Sequence, residues 1–284
     1  NSPDGTADVV RDFMKKWKQI ALLVGEKKGL GAAYVRGMHY AMREMQADAV
    51  MEFDSDFQHN PHDIPRLVQA MDAGADYVIG SRYVPGGSIP KEWGIDRKVL
   101  SIFGNLITQV VWFNFTIHDM TSGFKLTKTS FLQRVNLDKL FSYQFAYKMH
   151  ILHDVVKLGA KVKEVPITFL EREKGTSKIS KKDQFDSLYV VIRLRLEDKK
   201  RFVKFLFVGG TGFIVQFFST FFSIHLLRLE NAQFIATMIG AESAIISNFS
   251  FNNMWTFKDT NSIKEKGSVL KRLIKFNLTS LASI

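Results

Sequence analysis

Two carboxylates one residue apart, Asp54 and Asp56, stand directly beyond the apolar run Ala49 to Phe53, and Gln58 follows two positions later. Side chains just past the carboxyl end of a strand lie where open α/β sheets bind their ligands. Hard oxygen donors in that place suit Mg²⁺ or Mn²⁺ holding a diphosphate. A calcium loop fits poorly, because His59 stands where such a loop needs glycine and Pro65 where it needs a bidentate glutamate. The competing reading of the same spacing is one aspartate capping the next helix and the other facing water.

Other residues point to anions. Gly80-Ser81-Arg82-Tyr83 closes another apolar run, so Arg82 presents a guanidinium fork matched to phosphate at the same sheet edge if the two strands are parallel. Trp93, Arg97, Ser101 and Asn105 recur every four residues and form one polar stripe, which fits a binding site and a solvent face equally. Thr121-Ser122-Gly123-Phe124 after Asp119 reads as a phosphate-contacting loop or a plain Ser/Thr turn. Lys27-Lys28-Gly29-Leu30-Gly31 opens a helix whose amides suit a phosphate, although two glycines and a lysine are a weak signal. Residues 172–178 (REKGTSK) make a basic, glycine-containing loop, either a lid over phosphates or a solvated connector. His150 and His153 share a helical face with no carboxylate at metal spacing, which favours structural roles. No Walker loop and no nucleophilic triad motif is present.

These residues need a scaffold. Gln19 to Val24, Ala49 to Phe53, Asp76 to Ile79 and Val162 to Phe169 read as short buried strands, with helices between the first three, which predicts an α/β sheet of parallel strands. Asn60-Pro61 predicts a capped helix through Ala73, closed by Gly74. Two more helices are expected over residues 97–112 and 143–158. Residues 183–197 place Phe185, Leu188, Tyr189, Ile192 and Leu196 on one face, as in a helix lying at a membrane interface or one packed on the domain core.

Composition adds the location. The 284-residue chain carries a net charge of +11 and no cysteine, so disulfides and thiolate metal sites are excluded. Phe205 to Ile224 contains no charged residue and is long enough to cross a bilayer. Ala232 to Phe251 is a second such stretch, broken only by Glu242, and a third begins at Leu273. An ionisable group at membrane depth is costly and functional by default, although a helix-bundle role for Glu242 is equally open. Gly209, Gly210 and Gly212 read as close-packing positions. Basic residues flank the spans at Lys199, Lys200, Arg201 and Lys204 and again from Lys258 to Lys275, whereas the connection between them offers only Arg228 with Glu230. The positive-inside rule then puts both flanks and the soluble part on the cytoplasmic face of a multi-pass membrane protein. Charge so placed argues for an anionic bilayer and not for nucleic acid, for which no recognition module is present.

Taken in order, NSPDGT, KKGLGAAY, DSDFQHNP, GSRYVPGG, WGIDR with a later serine, DMTSGF and EVPITFLEREKGTSK resemble the family 2 glycosyltransferases, in particular their polyprenyl (dolichyl) phosphate mannose synthase type. The resemblance covers nearly all of residues 1–180, and RFVKFLFVGGTGFIVQ with NFSFNNMWTF is similar to the GtrA-like membrane domain fused to some of them. It implies an α/β GT-A catalytic domain, Rossmann-like and of the nucleotide-diphospho-sugar transferase kind, over residues 1–180. An interfacial helix or linker over 181–200 and an all-α transmembrane domain over 201–284 would follow. It further implies GDP-mannose as donor, dolichyl or polyprenyl phosphate as acceptor, and Mg²⁺ or Mn²⁺ as cofactor.

Carried over residue by residue, Asp54, Asp56 and Gln58 match the metal motif, and Asp4, Lys28, Asp54, Ser55, Asp56 and Lys178 the donor side. Arg82, Arg97, Ser101 and Arg172 match the acceptor-phosphate side, with Asp56, Arg82 and Arg172 closest to the chemistry. The family's first strand and its nucleotide-binding proline, tyrosine, asparagine and glutamate are not matched, and only part of the membrane domain is represented. Alternatives within the same reading are a UDP-glucose-dependent polyprenyl phosphate glucose synthase and a non-enzymatic subunit translocating lipid-linked sugar. A phosphomonoester has its second pKa near ~6, so the acceptor oxygen is already anionic at neutral pH and needs no general base. Direct in-line displacement with inversion is therefore expected.

Overall fold

A computed structural model describes residues 5–171, 180–226, 232–258 and 269–281. The chain divides into two compact units, Asn1–Arg195 and Leu196–Ile284. The boundary falls inside the helix over residues 181–198, so most of the expected interfacial segment belongs to the first unit.

In the first unit the elements run α1 (Thr6–Lys16), α2 (Leu30–Arg43), β1 (Ala49–Glu52), α3 (Ile64–Asp72), β2 (Tyr77–Ser81), α4 (Ile95–Trp112), β3 (Lys125–Lys128), α5 (Thr129–Leu132), α6 (Tyr147–Lys157), β4 (Val162–Pro166) and α7 (Lys181–Asp198). The sheet order is β1-β3-β2-β4. β2 and β4 are parallel, but β3 is antiparallel to both β1 and β2, so the expected all-parallel sheet is mixed. β3 escaped the sequence reading because Lys-Leu-Thr-Lys is half charged, yet Lys125 and Thr127 are buried. Gln19 to Val24 is not a strand: Leu23 and Val24 are exposed, and among the described residues no strand pairs with that run.

Alternation along the strands sends Val50, Tyr77 and Ile79 to one face, where α2 and α6 add Val35, Met38, Tyr147, Ile151 and Val155. Val78, Leu126 and Val165 point to the other face and meet Leu67 and Met71 of α3. The expected start of α3 holds, with the Asn60 side chain accepting from the His62 amide across a 3₁₀ turn at Pro61–Asp63. Gly74, at φ 105°, ends the segment in a conformation that favours glycine.

Helix α7 packs one face on the domain core, the second of the two readings, and leaves its other face exposed. Val190, Val191 and Leu194 are buried against Ala146, Trp112 and Phe141, while Phe185, Leu188, Tyr189 and Ile192 remain exposed. His150 and His153 sit nearby, and both approach Asp154, at 3.6 and 3.1 Å. The carboxylate that the sequence reading found missing is therefore present one helical turn along. His150 Nδ1 also accepts from the Phe141 amide, which makes its role structural.

The second unit contains α8 (Lys200–His225), α9 (Gln233–Phe251), a π-helical turn (Asn252–Thr256) and α10 (Val269–Leu281). The helical stretches Lys200–His225 and Gln233–Thr256, with mean hydropathy 1.6 and 1.3, are long and apolar enough to cross a bilayer. They pack closely where Gly212 faces Asn248 and where Gly240 faces Gln216 and Thr220, since a side chain at either glycine would collide with those groups. Gly209 and Gly210 face open space and do not serve that packing. Glu242 accepts a hydrogen bond from Asn277 of α10, which satisfies a carboxyl group in the middle of an apolar helix.

Candidate active site

Because β1 and β2 both run against β3, they are parallel to each other with β3 between them. Their carboxyl ends and the amino end of β3 therefore share one edge, where the register sets Glu52 opposite Lys125 and Lys125 opposite Ile79. The loops after β1 and β2 and the loop before β3 converge there. They bring Asp54 to Gln58, Arg82 and Asp119 to Phe124 together, as the sequence reading required.

Asp54 is held from the side by α2. The Tyr34 hydroxyl donates to Asp54 Oδ1 at 2.5 Å, and the Tyr34 ring stacks on Tyr147 of α6 at 5.5 Å between centroids. Tyr147 in turn donates to Glu52 Oε2 at 2.5 Å. Burial, reinforced by these carboxylates, raises both phenols above their ordinary value, so both stay hydrogen-bond donors. Asp56 Oδ1 accepts from the Gln58 amide at 3.2 Å, in a turn that puts the intervening Phe57 at φ 62°. A left-handed, exposed phenylalanine is backbone strain at a motif residue, as ligand-binding loops often carry. Ser55 is exposed beside them. Gln58 is buried, and its side-chain nitrogen donates to the Leu170 carbonyl, which ties the aspartate loop to the segment after β4. His59 is buried among Phe53, Phe124 and Phe169, and that burial pushes its pKa down to about 4.

Arg82 reaches the site but is already engaged. Its Nε and Nη2 donate to the two oxygens of Asp119 at 2.7 and 2.6 Å, Nη2 also reaches Thr121 Oγ1 at 2.8 Å, and its backbone amide donates to Asp119 at 2.9 Å. Burial works against both charges, yet their attraction holds Asp119 below the usual carboxylate range and Arg82 above its own. Asp119 is itself anchored, because Glu164 of β4 accepts from the His118 and Asp119 amides at 2.9 Å each. The Arg82 guanidinium lies within 5.4 Å of the Tyr83 and Phe169 ring centroids. Expected as a free phosphate ligand, Arg82 is instead a pinned one, with Nη1 as the nitrogen for which no internal bond is seen among the described residues.

The stripe on α4 faces inward. Ser101 accepts from the Tyr83 hydroxyl at 2.6 Å, Asn105 exchanges bonds with Thr121, and the Arg97 guanidinium stacks 3.9 Å over Trp93. Thr121 and Ser122 use their hydroxyls to hold the loop, Ser122 donating to the Gly80 carbonyl. Lys28 pairs with Glu26 at the surface and has no described contact with the charges around Asp54. Asp4, Arg172 and Lys178 lie outside the described residues.

Three groups converge on Gly123. A Cβ there would lie 3.2 Å from Asp54 Oδ2, 3.4 Å from Lys148 Nζ and 3.5 Å from His59 Cε1. The glycine thus lets Asp54, Lys148 and His59 close in around the backbone at this point. Among the described residues no three His, Asp or Glu side chains form a ready cage for a metal ion. Two neighbouring carboxylates fit a divalent ion that takes its remaining oxygens from phosphate and water, the usual habit of Mg²⁺. Tyr34, Glu52, Lys125 and Lys148 were missed from sequence because each is an isolated residue on a separate element. A trace was present at Glu52, a charge inside the apolar run Ala49 to Phe53.

A mixed α/β sheet whose ligand edge carries paired aspartates is thus joined, in one chain, to two helices long and apolar enough to cross a bilayer. Glycosyl transferase family 2 matches residues 1–135, and the GtrA/DPMS transmembrane domain matches residues 204–284. The chain is 32% identical to a dolichol-phosphate mannosyltransferase of Pyrococcus furiosus, over 99% of this chain and 76% of that protein. It is also 36% identical to a polyprenol monophosphomannose synthase of Mycolicibacterium smegmatis, over 63% of this chain and 68% of that one. An undecaprenyl-phosphate mannosyltransferase of Micrococcus luteus is likewise 36% identical, over 63% and 72%. The chain belongs to the family 2 glycosyltransferases with a fused GtrA/DPMS transmembrane domain.

Proposed function

We propose that this protein transfers mannose from GDP-mannose to a dolichyl or polyprenyl phosphate, from the cytoplasmic face of a membrane and with inversion at the anomeric carbon. The observation that carries this reading is the pair Asp54 and Asp56 just past the carboxyl end of β1, at the edge that β1 shares with β2 and the start of β3. The inward stripe of Arg97 and Ser101 lies on the neighbouring helix, and the named activities of the relatives agree. Asp54 and Asp56 would hold Mg²⁺ or Mn²⁺, an ion that neutralises the diphosphate as it departs. Tyr34 fixes one oxygen of Asp54 and so orients the other. Arg97 and Ser101, with Arg82 Nη1 behind them, present donors to the acceptor phosphate, whose anionic oxygen attacks without a general base. Arg172 and Lys178 are proposed to close over the phosphates. The basic flanks of the spans support the cytoplasmic orientation.

Mannosyl transfer is expected from GDP-mannose and not from UDP-glucose when both are offered with polyprenyl phosphate. It should vanish with EDTA, return with Mn²⁺, and fall at least about 1,000-fold in Asp56→Ala, the size of loss seen when one preorganised electrostatic group is removed. Undiminished transfer in that variant would sink the mechanism. Glucose transfer instead would keep the mechanism and change the donor.

A further inference from the structure

The charges at the ligand edge differ in whether the fold already uses them. Arg82 and Asp119 form a closed pair, buried to 9% and 0% side-chain exposure. Lys125 is fully buried, and its ammonium donates to the carbonyls of Met120 and Lys148 at 3.3 and 3.2 Å. Glu52 is occupied by Tyr147. Lys148, at the start of α6, is different. Its ammonium flanks Gly123 together with Asp54 Oδ2, with the charges of Asp54 and Glu52 acting on it from nearby and Arg82 opposing them. Among the described residues it enters no ion pair. The side chain is partly buried, and that burial pushes its pKa down. A cation beside Asp54 at the ligand edge, with no hydrogen bond to the described residues, is placed to meet an anion that arrives.

We propose that Lys148 binds the donor's diphosphate, its ammonium meeting the phosphate oxygens beside Gly123 and, before the ligand arrives, offsetting the charge of Asp54. The assignment rests on the reading of Asp54 and Asp56 as holders of a divalent ion and a diphosphate. Lysine suits such a double duty, because a point charge on a flexible stem turns from one anion to another without the planar constraint of arginine. Gly123 is the matching element, since a Cβ there would press on Asp54 Oδ2 at 3.2 Å and on Lys148 Nζ at 3.4 Å.

The proposal makes two effects of opposite sign. Removing the ammonium takes an attraction from the diphosphate and a repulsion from the divalent cation. The full chain in detergent, as wild type, Lys148→Gln and the similarly long Lys148→Met, would be titrated with Mn²⁺ alone by electron paramagnetic resonance. Inorganic pyrophosphate would be titrated by calorimetry with and without Mn²⁺. Both variants should bind pyrophosphate about tenfold or more weakly, as expected for one lost charged hydrogen bond, and Mn²⁺ at least as tightly as wild type. Unchanged pyrophosphate affinity overturns the role of Lys148, and so does a parallel loss of Mn²⁺ and pyrophosphate binding, which marks a merely structural residue. A wild-type chain that takes up no Mn²⁺ overturns the reading of Asp54 and Asp56 instead, and the metal-free pyrophosphate titration still reads Lys148.

Discussion

At the scale of single residues, the site is held by neighbours chosen for protonation state as much as for shape. His59 packs against three phenylalanine rings, and burial lowers its pKa from 6.5 to about 4. A group whose folded pKa is depressed binds its proton first in the unfolded chain. Its contribution is thus whole above pH 6.5 and is lost as pH falls toward 4. The loss amounts to at most about 3 kcal/mol, because each tenfold change in proton affinity is worth about 1.4 kcal/mol. The melting temperature of the detergent-solubilised chain should therefore fall between pH 6.5 and pH 5, and His59→Phe should flatten that fall. An identical slope in the variant would remove His59 as a cause. Asp119 illustrates the same logic through pairing: it was visible in the sequence only as the residue before a Ser/Thr turn, yet it determines which nitrogens of Arg82 remain for a ligand.

At the scale of elements, helix α4 separates two tasks on two faces. Arg97, Ser101 and Asn105 turn toward the site, while Val99, Phe103, Leu106 and Val110 are 45–54% exposed. An exposed apolar stripe on the back of a helix that presents phosphate ligands fits a unit working against lipid, and the outward face of α7 repeats the pattern. Val99→Ser with Phe103→Ser and Leu106→Ser should raise the KM for a long-chain polyprenyl phosphate in vesicles about tenfold, from the apolar area withdrawn from lipid. It should leave a short, water-soluble prenyl phosphate acceptor unaffected. Equal losses with both acceptors would instead indicate damage to the Arg97 and Ser101 face. Sequence periodicity predicted this helix and its polar stripe, because every fourth residue carried a recognisable side chain. It also predicted β1, β2 and β4, which are apolar runs. It missed β3, whose lysines read as solvent-facing until the register shows Lys125 between two strands, and it invented a strand at Gln19 to Val24, where apolar content was present without a partner. The aspartate motif was legible for the same reason that its supports were not: Asp54 and Asp56 are adjacent in sequence, whereas Tyr34, Gly123 and Lys148 reach them from three other segments.

At the scale of the whole molecule, a transferase unit and a transmembrane domain share one chain, and the order in which their parts are made follows from the sheet. β3 pairs with β1 and β2, both of which precede it, and β2 gains its second neighbour only with β4. While the chain is being synthesised, β1 and β2 therefore leave the ribosome before the strand that joins them, and among the described residues the ligand edge is incomplete until Lys125–Lys128 appears. Nascent chains stalled so that the exposed part ends before Lys125 should stay sensitive to protease, and those exposing Pro166 should resist it. Resistance before β3 emerges would contradict this order. Because α8 begins only at Lys200, the antiparallel strand gives the catalytic unit a chance to complete itself before that long apolar helix is made. The reversed direction of four residues thus bears on biogenesis as well as on chemistry: it sets the moment after which a cell would be inserting an anchor for an enzyme that is already folded.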